Sequence, residues 1–301
     1  MPNEMSYLIA TFYKFVALSE LEATRRHLLA SCQAKEIKGT IILAEEGING
    51  TIAGTSKAIA DVMENIRSIA GLAGLADLEY KESTSAKLPF AKLKVKIKPE
   101  IVTLGMPQVN PTKQVGTYVT PQHWNQIISD PEVVVIDTRN DYEVELGSFK
   151  RAKNPQTESF REFPEYVAQN LDPQEHPKVA MFCTGGIRCE KASSYLLSQG
   201  FKEVYHLRGG ILKYLAEVSP QESMWRGECF VFDGRVAVKE GLETGSHELC
   251  YACGHPISEA DKNSPQYESH ISCPHCYHQL TPEKKLRQVN RRRARQDKKQ
   301  Q

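Results

Sequence analysis

Two apolar runs without alternation constrain this chain more than any other feature. Glu132-Val-Val-Val-Ile-Asp137 and Lys178-Val-Ala-Met-Phe-Cys183 place hydrophobic side chains at successive positions. Both faces of each strand must then be covered, which is the condition of a strand inside a parallel sheet. Helical patterns surround them at 121–129, 158–170, 188–198 and 210–217. Strands alternating with helices predict an α/β domain, here over residues 117–222.

The first 103 residues follow a different order. Residues 7–18 read as a strand, and Ser19 with Glu22 three positions on reads as a capping box opening a helix through Ala34. Short strands at 38–44 and 49–53 flank the turn-forming Glu46-Gly47-Ile48-Asn49-Gly50. Thr55 or Ser56 caps a second helix expected to end near Gly71 and Gly74, and strands at 78–81 and 92–98 close the segment. The order β-α-β-β-α-β with one extra strand predicts a ferredoxin-like, acylphosphatase-like α+β domain over 1–103. Residues 104–116, with two prolines and two glycines, read as a linker. Beyond residue 222 the pattern turns irregular: a hairpin over 229–238 reversing at Asp233-Gly234, a Cys-rich segment over 223–281, and a basic tail over 282–301.

The charge total hides an asymmetry. The tail holds nine Lys/Arg against two acids, a local net of +7, which leaves −6 on the other 281 residues of a chain whose total is +1. A mildly acidic body with a basic tail points to an anionic partner such as nucleic acid, or else to a solvated tail. At 40% hydrophobic and 25% charged residues the chain is not a disordered one. No apolar run approaches the ~20 residues of a membrane helix. Residues 1–15 lack the pattern of a signal peptide, so a cytoplasmic protein with no membrane partner is expected.

Cys183-Thr184-Gly185-Gly186-Ile187-Arg188-Cys189 follows a buried strand and opens a helix, the place where ligands bind in parallel sheets. Thr184, Gly185, Gly186 and Ile187 form a loop whose N–H groups can converge on one anion, and the helix N-terminus adds partial positive charge. A thiolate at Cys183 is expected there, depressed in pKa and nucleophilic, on a loop at the protein surface. Arg188 returns a guanidinium to the same anion. Cys189, one helical turn in, is either a packed helix residue or a resolving thiol.

Four residues separate Cys183 from Arg188, where protein tyrosine phosphatases place five, and the tighter loop resembles that of rhodanese. Asp137-Thr-Arg139 with Asp141-Tyr-Glu143 resembles the rhodanese Asp-x-Arg-x-x-x-Glu segment, which gives Asp137 and Arg139 a supporting place. Leu207-Arg-Gly-Gly-Ile211 resembles its final strand-to-helix turn. The usual Gly-His-Ile reads Gly147-Ser148-Phe149 here. Ala44-Glu-Glu-Gly-Ile-Asn-Gly-Thr51, Leu88-Pro-Phe90, Cys183 to Lys191 and the C-terminal cysteine pairs together are similar to one family joining a ferredoxin-like domain to rhodanese. That family is the bacterial oxygen-dependent tRNA uridine hydroxylases. The resemblance covers essentially the whole chain. It implies a tRNA-modifying oxidoreductase that makes 5-hydroxyuridine at the wobble position, with dioxygen as co-substrate and Cys183 as the reactive cysteine. A sulfur or electron donor protein is a further expected partner. The residues themselves reach only an activated thiol, an anion cradle and surfaces compatible with RNA. A thiosulfate or protein-persulfide sulfurtransferase and a non-catalytic RNA-binding module are the alternative readings. No His-His-carboxylate arrangement for iron and no dinucleotide glycine fingerprint is legible.

Of eight cysteines, Cys250-x-x-Cys253 and Cys273-x-x-Cys276 have the spacing of a ribbon-type zinc site. Four thiolates would close the tetrahedron, so such a zinc is structural; the alternative is a reduced cysteine cluster. His255, His270, His275 and His278 crowd the same segment. Lys92, Lys94, Lys96 and Lys98 alternate with apolar residues, so a strand would place all four on one face. They read equally as a phosphate track or as guards of an edge strand. Arg291, Arg292, Arg293 and Arg295 lack interleaved aromatics and could hold phosphates without reading bases.

Overall fold

A computed structural model describes residues 6–69 and 78–300. The N-terminal unit runs β1 (Tyr7–Phe15), α1 (Leu21–Ala34), β2 (Lys38–Ala44), β3 (Gly47–Gly54), α2 (Ser56–Arg67), β4 (Glu79–Ser85) and β5 (Leu93–Ile97). Its sheet has the order β4-β1-β3-β2-β5, with β5 parallel to β2 at the edge. Period-two alternation gives the sheet one apolar face. Phe12, Ile41, Leu43, Ile52 and Val95 pack there against Leu28, Cys32, Ile59, Val62 and Ile66 of the two helices. Each such fully buried aliphatic contributes about 1.5–3 kcal/mol. The opposite face carries Thr11, Thr40, Asn49 and Thr51 and is not covered by helices of this unit; it looks toward the second domain.

Helix α1 does not begin as the sequence predicts. Its N-cap is Glu20, with φ 51°, and no side chain caps it. Ser19 stands one residue too early for its hydroxyl to meet the first helical amides, and Glu22 pairs instead with Arg25 at 3.0 Å. Thr55 does cap α2, accepting from the amide of Ala58 at 3.2 Å. That helix ends at Arg67; Gly71 and Gly74 lie outside the described residues.

The second unit contains β6 (Thr117–Val119), α3 (Pro121–Ser129), β7 (Val133–Asp137), α4 (Asp141–Val144), β8 (Gly147–Phe149), a 3-10 turn (Phe160–Glu162), α5 (Phe163–Asn170), β9 (Lys178–Phe182), α6 (Ile187–Ser198), β10 (Glu203–Leu207) and α7 (Gly210–Glu217). Its parallel sheet has the order β6-β10-β9-β7. Successive residues of β9 enter different cores, as the unbroken apolar run requires. Ala180 and Phe182 pack with Trp124, Phe149 and Tyr214, whereas Val179 and Met181 pack with Phe163, Leu196 and Val204.

Beyond it lie β11 (Trp225–Gly227), which pairs with β8, and the hairpin of β12 (Cys229–Phe230) with β13 (Ala237–Val238). A small pairing of β14 (Glu248–Leu249) with β15 (Pro256–Ile257) and two short helices, α8 (Glu259–Lys262) and α9 (Pro274–Tyr277), form the Cys-rich segment. The basic tail is a helix, α10 (Pro282–Gln300). It rests on that segment through Gln288 and the oxygen of Ala252 at 3.3 Å and through Arg292 and Glu268 at 3.5 Å. Among the described residues no helix is long and apolar enough to cross a membrane.

Candidate active site

The loop from Cys183 to Arg188 leaves the end of β9 and enters α6. Gly186 makes the turn at φ 100°, and a Cβ there would lie 2.9 Å from the Tyr13 hydroxyl. Gly210 supports the loop from below at φ 66°, where a Cβ would stand 2.5 Å from the Cys183 oxygen. The first amides of α7 hold the loop carbonyls: Ile211 donates to Cys183 and Leu212 to Thr184, at 3.0 and 3.1 Å. This is the structural content of the Leu207-Arg-Gly-Gly-Ile211 turn.

Cys183 is 1% exposed, so the expected surface loop is a covered one. The N-terminal sheet closes over it, which no local pattern around Cys183 announces. Its sulfur accepts from the Gly186 amide at 3.1 Å. Burial pushes the thiol pKa up. The Cys189 thiol, the Arg188 charge and the amides of Arg188 and Cys189 outweigh that and bring it down to about 6. Cys189 moves the other way, driven up by burial and by its neighbour, so the proton of the pair resides on Cys189.

Arg188 is 11% exposed and lies 2.8 Å from Glu143 through Nη1 and 3.2 Å through Nη2. Only the Nη2 contact is aligned as a hydrogen bond; buried Nη1 has no aligned acceptor. That spare donor suits an anion in the cradle. Glu143 also accepts from the Thr184 hydroxyl at 3.3 Å. Asp137 and Arg139 sit below, both fully buried, with Arg139 Nη2 2.6 Å from Asp137 Oδ2 and Nη1 donating to the Glu143 oxygen at 3.1 Å. They brace the segment that carries Glu143 rather than facing a ligand. Ser148, where Gly-His-Ile would place histidine, donates to Asp137 at 2.7 Å.

Several residues around the site escape sequence reasoning because contacts distant along the chain, many of them from the N-terminal unit, assemble them. Lys81 of β4 donates to the Gly185 oxygen at 3.0 Å, and burial lowers its pKa. Tyr13 and Tyr118 both donate to the buried carboxylate of Glu190, at 3.1 and 2.7 Å. Lys191 joins Glu46 at 2.7 Å and Glu100 at 2.6 Å. The Glu190-Lys191 pair after the loop therefore fastens the N-terminal sheet over it. Beside these contacts, the N-terminal sheet and the cysteine loop border a cavity of about 610 Å³ with Cys183, Arg188 and Lys81 in its lining.

Among the described residues, the four paired cysteines gather with their sulfurs within 4.8 Å of one another. Cys273 Sγ is 3.8 Å from both Cys253 Sγ and Cys276 Sγ. Thiolates around one zinc at ~2.3 Å lie about 3.8 Å apart on a tetrahedron, so the set fits the metal. His255 and His275 stay outside this set; they stack on each other beside Glu145. Lys92, Lys94, Lys96 and Lys98 are exposed along β5. Lys94 and Lys96 pair with Thr40 and Ile42 and share their face, the one bordering the cavity. Arg291 and Arg293 are exposed on α10, Arg292 is held by Glu268, and the side chain of Arg295 lies outside the described ones.

This fold and this loop define a rhodanese-fold protein with an acylphosphatase-like sheet docked over its cysteine. Residues 7–101 match the UPF0176 acylphosphatase like domain, and residues 120–217 match the rhodanese-like domain. The chain is 59% identical over 281 residues to the tRNA uridine(34) hydroxylase of Picosynechococcus sp., covering 93% of each chain. It is 56% identical over 287 residues to the tRNA uridine(34) hydroxylase of Teredinibacter turnerae, covering 95% of this chain and 88% of that one. The chain belongs to the tRNA uridine(34) hydroxylase family.

Proposed function

We propose that this protein hydroxylates uridine 34 of tRNA to 5-hydroxyuridine in the cytoplasm, with Cys183 as the reactive thiolate. The support is the 59% identity across 93% of both chains, joined to an intact Cys183 to Arg188 loop. One atom of dioxygen enters the base and the other leaves as water, and an external donor supplies the two electrons. Arg188 and the amides of residues 184–187 hold the anionic form of whatever group Cys183 carries or attacks. The four paired cysteines hold a structural zinc that anchors the Cys-rich segment and, through it, α10. Lys92, Lys94, Lys96 and Lys98 on one side and Arg291, Arg292, Arg293 and Arg295 on the other contact RNA phosphates. The division into 1–103, 104–116, 117–222, 223–281 and 282–301 assigns the base-proximal roof, linker, cysteine loop, cavity wall with metal segment, and phosphate-holding tail.

The mass of the modified nucleoside tests this. Transfer RNA from cells lacking the protein should miss a uridine one oxygen atom heavier, and protein with an electron donor should restore it only under dioxygen. A gain of sulfur without an oxygen requirement would instead establish a sulfurtransferase. No change in any tRNA would leave a binding module.

A further inference from the structure

The geometry points to a nucleobase subsite in the cavity above Cys183, with Phe232 as its stacking platform and Asn49 as its hydrogen-bonding wall; this rests on the reading that the substrate is RNA. Phe232 is 58% exposed at the tip of the β12–β13 hairpin, although it lines the same cavity as the buried Cys183. An apolar ring left open beside a cavity offers a face for a flat partner, and every base has one.

The platform is rigid. Phe230 meets it edge to face with centroids 5.1 Å apart, and the Arg188 guanidinium lies 5.8 Å from its centre, so the platform adjoins the anion cradle. The hairpin tip is clamped by the buried pair Arg235–Asp233 at 2.6 Å and by Arg235 donating to Ser83 at 2.9 Å. The Gly234 amide donates to the Pro89 oxygen at 2.9 Å. A Cβ on Gly234 would sit 2.8 Å from that oxygen, so the N-terminal domain fixes where Phe232 stands.

The part of the lining that β2 and β3 supply is uncharged. Thr40, Asn49 and Thr51 line it, a surface suited to the edge of a base rather than to its phosphate. Asn49 spends its Nδ2 on the Ile101 oxygen at 3.0 Å, which leaves Oδ1 as an acceptor. Uracil carries a ring N3–H where cytosine carries an acceptor, so an acceptor at this wall selects uracil. At about 610 Å³ the cavity falls in the range that holds small organic ligands, far above what a sulfane donor such as thiosulfate needs. The pyrimidine leaves its strand to enter, while the phosphates stay outside with Lys94 and Lys96.

The test uses the full chain and a short single-stranded RNA bearing one 5-iodouridine. Irradiation should crosslink the peptide containing Phe232, and unlabelled uridine RNA should compete while cytidine RNA competes poorly. Phe232→Ala should lower kcat/KM for tRNA about tenfold or more, Phe232→Tyr should restore it, and Phe232→Leu, which keeps bulk without a π-face, should not. Asn49→Leu should remove the preference over cytidine. Crosslinking elsewhere, or Phe232→Leu as active as wild type, would overturn the subsite. If wild-type protein crosslinks at Phe232 yet never oxidises tRNA, the hydroxylase reading fails and the subsite stands.

Discussion

Lys191 Nζ, 1% exposed, lies 2.7 Å from Glu46 Oε2, so a single buried cation of the rhodanese helix α6 ties down the turn between β2 and β3 of the other domain. Glu46 itself accepts from the Ile101 amide at 2.7 Å, and Lys191 reaches Glu100 as well. Lys191, two residues after Cys189 on α6, is thus a domain fastener.

Lys191→Met should therefore cost about 3 kcal/mol of stability, since two partly buried carboxylates lose their cation. Denaturant unfolding measures that cost. Loosened docking should also raise the alkylation rate of Cys183 by bulky maleimides more than by iodoacetamide. Equal rates with both reagents would place the fastening elsewhere.

Thiol reactivity should follow a low pH midpoint. With its pKa held near 6, Cys183 stays a thiolate at neutral pH, and alkylation should slow as pH falls through about 6. The sign for stability is the same. A free thiol titrates near ~8.5, so the native charge stabilises fully above that value, and the contribution disappears as pH drops through the folded value. Arg188→Gln should move the alkylation midpoint upward; an unchanged midpoint would remove the guanidinium from thiolate stabilisation.

Gly210→Ala should destabilise the protein by about 2 kcal/mol or more, because the position is left-handed and the methyl meets the Cys183 oxygen. Alkylation of Cys183 should report a disturbed loop in whatever fraction stays folded. Wild-type melting and reactivity would contradict the close support drawn for α7.

Purified protein should hold about one zinc per chain. Cys250→Ser with Cys253→Ser should abolish it and increase proteolysis within the Cys-rich segment and α10, leaving the two sheets protected. Elemental analysis without metal, in protein made with zinc present, would leave the four sulfurs as a reduced cluster.

The tail prediction concerns salt. Truncation after Glu283 removes α10 cations that face solvent, so the slope of log affinity for tRNA against log salt should flatten, whatever the sequence bound. An unaltered slope would mark α10 as solvated.

What the sequence exposed and what it hid divide along one physical line. The unbroken apolar runs at 132–137 and 178–183 disclosed the parallel sheet because both-face burial leaves a one-dimensional trace. Cys183, Arg188 and the paired cysteines were legible because their chemistry depends on short spacings. Lys81, Tyr13 and Phe232 were not, since each meets the loop across a long chain separation such as the 104 residues between Lys81 and Gly185. Ser19 misled for a local reason: a capping box in the letters does not fix the residue at which the backbone turns helical.

The cavity above Cys183 takes its roof from β1 to β4, its floor from the cysteine loop and one wall from the hairpin at Phe232. The consequence concerns ancestry. Rhodanese domains travel among proteins as portable modules, yet here the reacting sulfur sits where three modules meet. Substitutions on any one are judged by their fit to the other two. Loss of the N-terminal sheet would strip from the loop the cover that Tyr13 and Lys81 give it and open the Cys183 sulfur, 1% exposed here, to solvent.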